Sequence, residues 1–179
     1  MSSRRVALPI TAHLRQSGLL AEHPLRVIDA GSRGGPEAHW EHYGDQLELI
    51  GFEPEAEECA RLNAAARSRS GRRETYYPIG LDRTRGQRTL WVTQFADASS
   101  LLPPNQPFVS RFPHAGAGTV VGRVTVATTD LDTFLDEAGV GPVDFLKLDV
   151  EGVALPVLEG AQRLLASGLL GLSVEVFLQ

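Results

Sequence analysis

The stretch that most constrains this chain is Arg26–Gly35, R-V-I-D-A-G-S-R-G-G. Val27 and Ile28 form a short apolar run suited to a buried strand. Asp29 ends that run with a carboxylate at the strand's C-terminal tip. Gly31, Gly34 and Gly35 then permit backbone angles and close approaches that a Cβ would forbid. The stretch reads as a strand running into a glycine-rich turn that opens a helix. In an open parallel sheet, ligands bind in the crevice at the carboxyl ends of the strands. A cofactor carrying a ribose or an anionic group is therefore expected against this turn. The same glycines also serve plain strand–turn–helix connections, so a second point of contact is needed.

Leu47–Phe52, L-E-L-I-G-F, supplies it as a second buried strand ending at Glu53-Pro54. Glu53 lies 24 positions after Asp29, close to the ~20-residue offset at which an acid meets a ribose hydroxyl in dinucleotide-type folds. One carboxylate can accept both hydrogen bonds of a vicinal diol. The alternative is an acid that stabilises the N-terminus of the next helix.

The remaining pattern alternates strands and helices. Ile10–Leu20 predicts a short amphipathic helix with Ile10 and Leu14 on one face, and Pro36–Tyr43 a first crossover helix. Glu55–Arg67 predicts a long helix, and Glu74–Leu81 a third strand ending near Asp82. Thr89–Thr93 and Val120–Thr129 are β-branched runs that read as inserted strands. The polar, broken segment Phe95–Gly118 between them reads as a lid, a binding loop or a surface excursion. Thr129 or Asp130 caps a helix over Leu131–Ala138, and Val143–Gly152 forms a strand. Leu155–Leu165 is the next helix, with Leu155, Leu158, Ala161, Leu164 and Leu165 buried, and Leu172–Phe177 is the last strand. This order means an α/β, doubly wound, mostly parallel sheet. Residues 1–24 form an N-terminal helical segment and 25–179 one domain.

Composition narrows the function classes. A net charge of −5 gives no broad basic field for nucleic acid or an anionic membrane. The cluster Arg67, Arg69, Arg72 and Arg73 reads as a solvated helix end and loop. One cysteine, Cys59, excludes an intramolecular disulfide and a cysteine zinc cage. No run reaches the ~18 apolar residues of a membrane span, and a cytoplasmic protein is expected.

V-D-F-L-K-L-D-V-E-G, from Val143 to Gly152, is the chemically richest segment. Lys147, Asp149 and Glu151 recur at period two inside an otherwise apolar run. Buried charges are costly unless paired or used. An ion pair of Lys147 with Asp149 or Glu151 is one outcome, and an active-site wall is the other. Glu175 is a further acid in an apolar run, and its strand is expected to border the same crevice.

Taken together, these motifs resemble the FkbM-type methyltransferases. The resemblance rests on Asp29-x-Gly31-x-x-x-Gly35, on Gly51-Phe52-Glu53-Pro54, and on Thr129, Leu131 and Asp132. It is most specific in Lys147–Gly152 followed by Val157-Leu158-x-Gly160-Ala161. Such enzymes have a Rossmann-like fold and use S-adenosylmethionine, mostly to methylate hydroxyl oxygens of small natural products or sugars. By resemblance, Asp29, Gly31 and Gly35 flank the methionine moiety, Glu53 holds the ribose diol, and Asp82 lies near the adenine. Lys147, Asp149 and Glu151 then face the sulfonium methyl and the acceptor.

Two departures from the family stand out. Ala154 occupies a position where the family usually has a second Glu. The family also usually continues into a helix and C-terminal hairpin, which this chain lacks after Gln179. The expectation is a truncated domain, or an open sheet edge covered by a partner such as a second copy in a homodimer.

The expected reaction is methyl transfer to a small-molecule or sugar hydroxyl, with Asp149 or Glu151 as base and Lys147 orienting it. His114 is a second base candidate. Asp149 and Glu151 could instead help bind Mg²⁺, but the sequence supplies no complete ligand set and no metal is assigned. The rivals are a non-catalytic methyltransferase-like module and a nicotinamide-dependent oxidoreductase. The latter wants G-x-G-x-x-G, which Ser32-Arg33 interrupts.

Overall fold

The computed structural model describes residues 9–69, 71–111 and 115–176. Helices α1 (Pro9–Gln16) and α2 (Leu19–Glu22) precede strand β1 (Leu25–Ala30) and strand β2 (Leu47–Phe52). Helix α3 (Ala56–Ser68), strand β3 (Arg73–Tyr77), strand β4 (Gly80–Leu81) and strand β5 (Gly86–Thr93) follow. After them come α4 (Gln106–Val109), β6 (Val120–Thr129), α5 (Leu131–Glu137) and β7 (Phe145–Leu148). Helices α6 (Ala154–Glu159) and α7 (Gln162–Ala166) and strand β8 (Gly171–Val174) complete the described chain.

Five strands form the central sheet in the order β3-β2-β1-β7-β8, and every neighbouring pair is parallel. The order reverses between β1 and β7, the position at which open α/β sheets bind ligands. Both faces are covered, as all-parallel sheets require. Ile28, Ala30, Ile50, Phe52, Leu146 and Leu148 pack on one side against Leu131, Phe134, Val157 and Leu164. Val27, Leu47, Leu49 and Tyr76 point to the other side, against Trp40, Cys59, Leu62 and Ala66. This alternation is the period-two geometry of a strand. Each fully buried large apolar side chain contributes about 1.5–3 kcal/mol.

A second, three-stranded sheet has the order β4-β6-β5. β5 and β6 are antiparallel with an irregularity at Val92/Thr93, whereas β4 runs parallel to β6. Leu90 and Val126 of this ribbon meet Leu101 and Val153, which joins the two sheets beside the motif segment.

Several expectations change. The crossover helix over Pro36–Tyr43 is absent; a 3₁₀ segment runs from Trp40 to Gln46 and is broken at Gly44 (φ 59°). Trp40, in contact with Phe145, fills the space that a helix face would cover. The N-terminal helix is split at Gly18 (φ 78°), and Ile10 is 76% exposed while Thr11 is buried. The third strand divides around Pro78, with β3 in one sheet and β4 in the other, because proline donates no ladder hydrogen bond. The helix over Leu155–Leu165 is two short helices flanking Gly160 and Ala161. A Cβ on Gly160 would lie 2.6 Å from the Asp82 carbonyl oxygen, so this break lets the chain approach β4's exit. Of the expected buried face, Ala161 and Leu164 are buried, whereas Leu155 and Leu165 are 65% and 38% exposed and Val157 is buried in their place. Asp130 is the cap of α5, its carboxylate accepting from Thr133 N at 2.8 Å.

Candidate functional site

The turn after β1 is fixed by its backbone. Gly31 N and Ser32 N both donate to Phe52 O at 3.1 Å, and Gly35 N donates to Ser32 O at 2.9 Å. Fully buried Ser32 returns its hydroxyl to Asp29 O at 2.6 Å. Asp149 N donates to Ala30 O at 2.9 Å, which draws the exit of β7 against the turn. Gly31 has φ +81°, and a Cβ there would sit 1.8 Å from Asp149 O. Only glycine fits this crossing. The turn does not open a helix, contrary to the sequence expectation; irregular chain leads to the 3₁₀ segment at Trp40.

Behind the turn lies a buried ion pair. Lys147 Nζ is 3.0 Å from Asp29 Oδ1 and 3.4 Å from Asp149 Oδ2. It also donates to Gly31 O at 3.5 Å. Asp29 Oδ2 has no hydrogen-bond partner. Burial raises the Asp29 carboxyl to about 6, with Lys147 pulling the other way. Burial also works against the Lys147 ammonium, but Asp29 and Asp149 outweigh it and raise the group above its usual range. Lys147 thus pairs with Asp149, one of the two expected partners, and more closely with Asp29.

Glu53 stands at the tip of β2 and is buried. Its Oε1 accepts from Glu55 N at 2.9 Å, and its Oε2 lies 3.8 Å from Arg33 Nε. Burial raises its carboxyl, while the Glu55 amide and Arg33 partly offset that. Arg33 is also paired with Glu55, so it ties the glycine turn to the segment after β2.

Strand β7 is shorter than expected and ends at Leu148. Asp149 therefore lies just beyond it, and Glu151 sits in a turn at φ +49°. Burial, then Asp149 and Asp97, raise the Glu151 carboxyl. Glu175 follows β8, its amide donating to Leu148 O at 2.9 Å. A hydrogen bond with Asp149, then burial, raises its carboxyl to about 7. Asp149, Glu151 and Glu175 each offer one oxygen within 4.8 Å of the others. A shared proton or a divalent cation would relieve that crowding.

These elements enclose a cleft of about 240 Å³ at the carboxyl ends of β1, β2 and β7. Its polar lining includes Arg33, Glu53, Asp97, Ser100, Asp149 and Glu151, and Phe52, Pro54, Ile79, Leu81 and Leu101 supply apolar wall. Of the residues singled out from sequence, Gly31, Glu53, Asp149 and Glu151 line it together. Asp29 and Lys147 are not in the lining and support it from behind. Gly35, at φ +92°, packs near Leu62 away from the cleft. Asp82 is not brought to the lining either. Its two oxygens accept from Arg83 N at 2.8 Å and Arg88 Nη1 at 2.6 Å, and its neighbours Gly80 and Leu81 line the cleft instead. His114 lies outside the described residues. Arg33, Asp97 and Ser100 also line the cleft, although none was singled out from the sequence as a site residue. Arg33 carried a signal as a charge inside the glycine turn, and Asp97 and Ser100 lie in the Phe95–Gly118 segment whose binding-loop reading the lining supports.

Among the described residues, no helix is long and apolar enough to cross a membrane. A family model described as the Methyltransferase FkbM domain matches residues 29–176. No curated protein and no solved structure matches the chain.

Proposed function

The chain belongs to the FkbM methyltransferase family, and we propose that it methylates a hydroxyl oxygen of a small molecule or sugar with S-adenosylmethionine as donor. The observation that carries this reading is the convergence of Gly31, Glu53, Asp149 and Glu151 on one cleft at the sheet's switch point. The residues present fit the cofactor. Glu53 keeps lone pairs beyond its bond from Glu55 N, which suits a ribose diol. The apolar wall formed by Phe52, Pro54, Ile79 and Leu81 suits a purine.

When bound, S-adenosylmethionine supplies a methyl group already activated by its sulfonium, so that a C–O bond forms as the C–S bond breaks. What the chain must add is mainly orientation. The Asp29–Lys147 pair fixes the turn and Asp149 relative to each other. Asp149 and Glu151 are the groups placed to take the hydroxyl proton, which requires an approach of about 3 Å. Burial, then Asp149 and Asp97, raise the Glu151 carboxyl, which makes it a better proton acceptor than an ordinary glutamate once ionised.

The test is transfer of labelled methyl from S-adenosylmethionine to a panel of sugars and small alcohols. Asp149→Asn and Glu151→Gln are expected to separate the base from its neighbour, the base variant losing about 10²–10⁴-fold. Full activity in both variants would overturn the assignment of the base. Cofactor binding with no transfer to any acceptor would favour the alternative, a non-catalytic module, to which Ala154 at the start of α6 already points.

A further inference from the structure

Glu151 is the one non-glycine residue with positive φ among the described residues, at +49°, and Gly152 follows at +91°. A side chain in that region is strained and persists only where its surroundings hold it. The hold comes from outside the central sheet. Ser100 Oγ donates to the Glu151 carbonyl oxygen at 2.6 Å, across 51 positions of sequence.

Ser100 is itself pinned on three sides. Trp91 N donates to Ser100 O at 2.8 Å, and Ser100 N donates to Trp91 O at 3.2 Å. These two bonds form a bridge between β5 and the segment after it. Ser100 Oγ accepts in turn from Leu102 N at 3.0 Å. The Leu102 side chain closes over the same turn, 3.5 Å from where a Cβ on Gly152 would be. The second sheet thus grips the turn whose side chain lines the cleft.

We propose that Ser100 is a positioning residue, which holds Glu151 in its left-handed turn and so keeps the Glu151 carboxylate in the cleft. This rests on the reading of the cleft as the methyl-transfer site. The geometry gives Ser100 no role in bonds made or broken. It acts through Glu151, and it makes the placement of a base candidate depend on the β5–β6 arm.

The experiment uses the full chain with ¹³C-labelled glutamate carboxyls, the Glu151 resonance being assigned by its loss in Glu151→Gln. Spectra of the unmodified protein, Ser100→Ala and Ser100→Thr are compared at one pH, with thermal melting as the check on folding. Ser100→Ala is expected to move the Glu151 resonance towards that of an exposed glutamate. Ser100→Thr, which keeps the hydroxyl donor, is expected to hold it near its original position. If Ser100→Ala fails to fold, Ser100→Cys, a weaker donor, takes its place with a shift in the same direction expected. A melting temperature that falls while the Glu151 resonance stays fixed would overturn the proposal, since Ser100 would then serve only its own loop. Titration of the unmodified protein with S-adenosylhomocysteine runs alongside. Failure to bind would overturn the cofactor reading, and the resonance would still decide the role of Ser100.

Discussion

Lys147 and Asp29 sit opposite each other in the register of β7 on β1, and their side chains close a 3.0 Å ion pair beneath the cleft. The pair is nearly sealed from water, so its members cannot be removed singly without leaving a charge or taking up a proton. Lys147→Met is expected to destabilise the fold by about 3–5 kcal/mol. The low end is favoured because the Asp29 carboxyl, already raised, can take up a proton. Asp29→Asn/Lys147→Met together should recover part of the loss. Urea unfolding checks this, and a double variant no more stable than Lys147→Met would contradict it.

The same burial makes stability depend on pH. The Asp29 carboxyl moves from 3.8 to about 6 on folding, by burial. The Glu175 carboxyl moves from 4.5 to about 7, by its hydrogen bond with Asp149 and then burial. Both groups bind a proton more tightly in the folded state. Their contributions are therefore full below the unfolded values and lost as pH rises through the folded ones. Between pH 3.8 and about 7, the unfolding free energy of the unmodified protein should fall relative to Asp29→Asn and Glu175→Gln. Parallel pH profiles in all three proteins would show that neither group titrates in this way.

Gly31 and Gly34 share φ +81° but differ in surroundings. Gly34→Ala meets open space and should cost about 1–2 kcal/mol, the backbone penalty alone. Gly31→Ala drives its methyl into the Asp149 carbonyl, so either β1's turn or β7's exit must move. More than about 4 kcal/mol is expected there, or failure to fold. Equal melting temperatures for the two variants would contradict the close crossing.

Much of the central sheet was legible because its determinants are local. β2 and β6 match their expected limits, and α3 is displaced by one residue at each end. Their apolar periods and flanking breakers lie within each segment. The failures lie where tertiary packing decides. Trp40 replaces a crossover helix by packing on the sheet face beside Cys59, Leu62 and Ala66, and Gly160 breaks a helix because Asp82 and Asp130 crowd it from elsewhere. In the candidate site, Glu53, Asp149 and Glu151 were readable as charges at the ends of apolar runs. Ser100 was not, since its hydroxyl matters only through contact with Glu151, 51 positions away. Asp82 was misleading for a related reason. It too is an acid at a strand end, yet Arg83 and Arg88 occupy its oxygens.

We propose that Glu53 anchors S-adenosylmethionine in this cleft, and calorimetric titration with S-adenosylhomocysteine decides it. Roughly micromolar binding is expected. Glu53→Ala is expected to lose at least tenfold in affinity, since hydrogen bonds to a charged acceptor contribute about 1.5–3 kcal/mol. No binding by the folded chain, or equal affinity in Glu53→Ala, would contradict it.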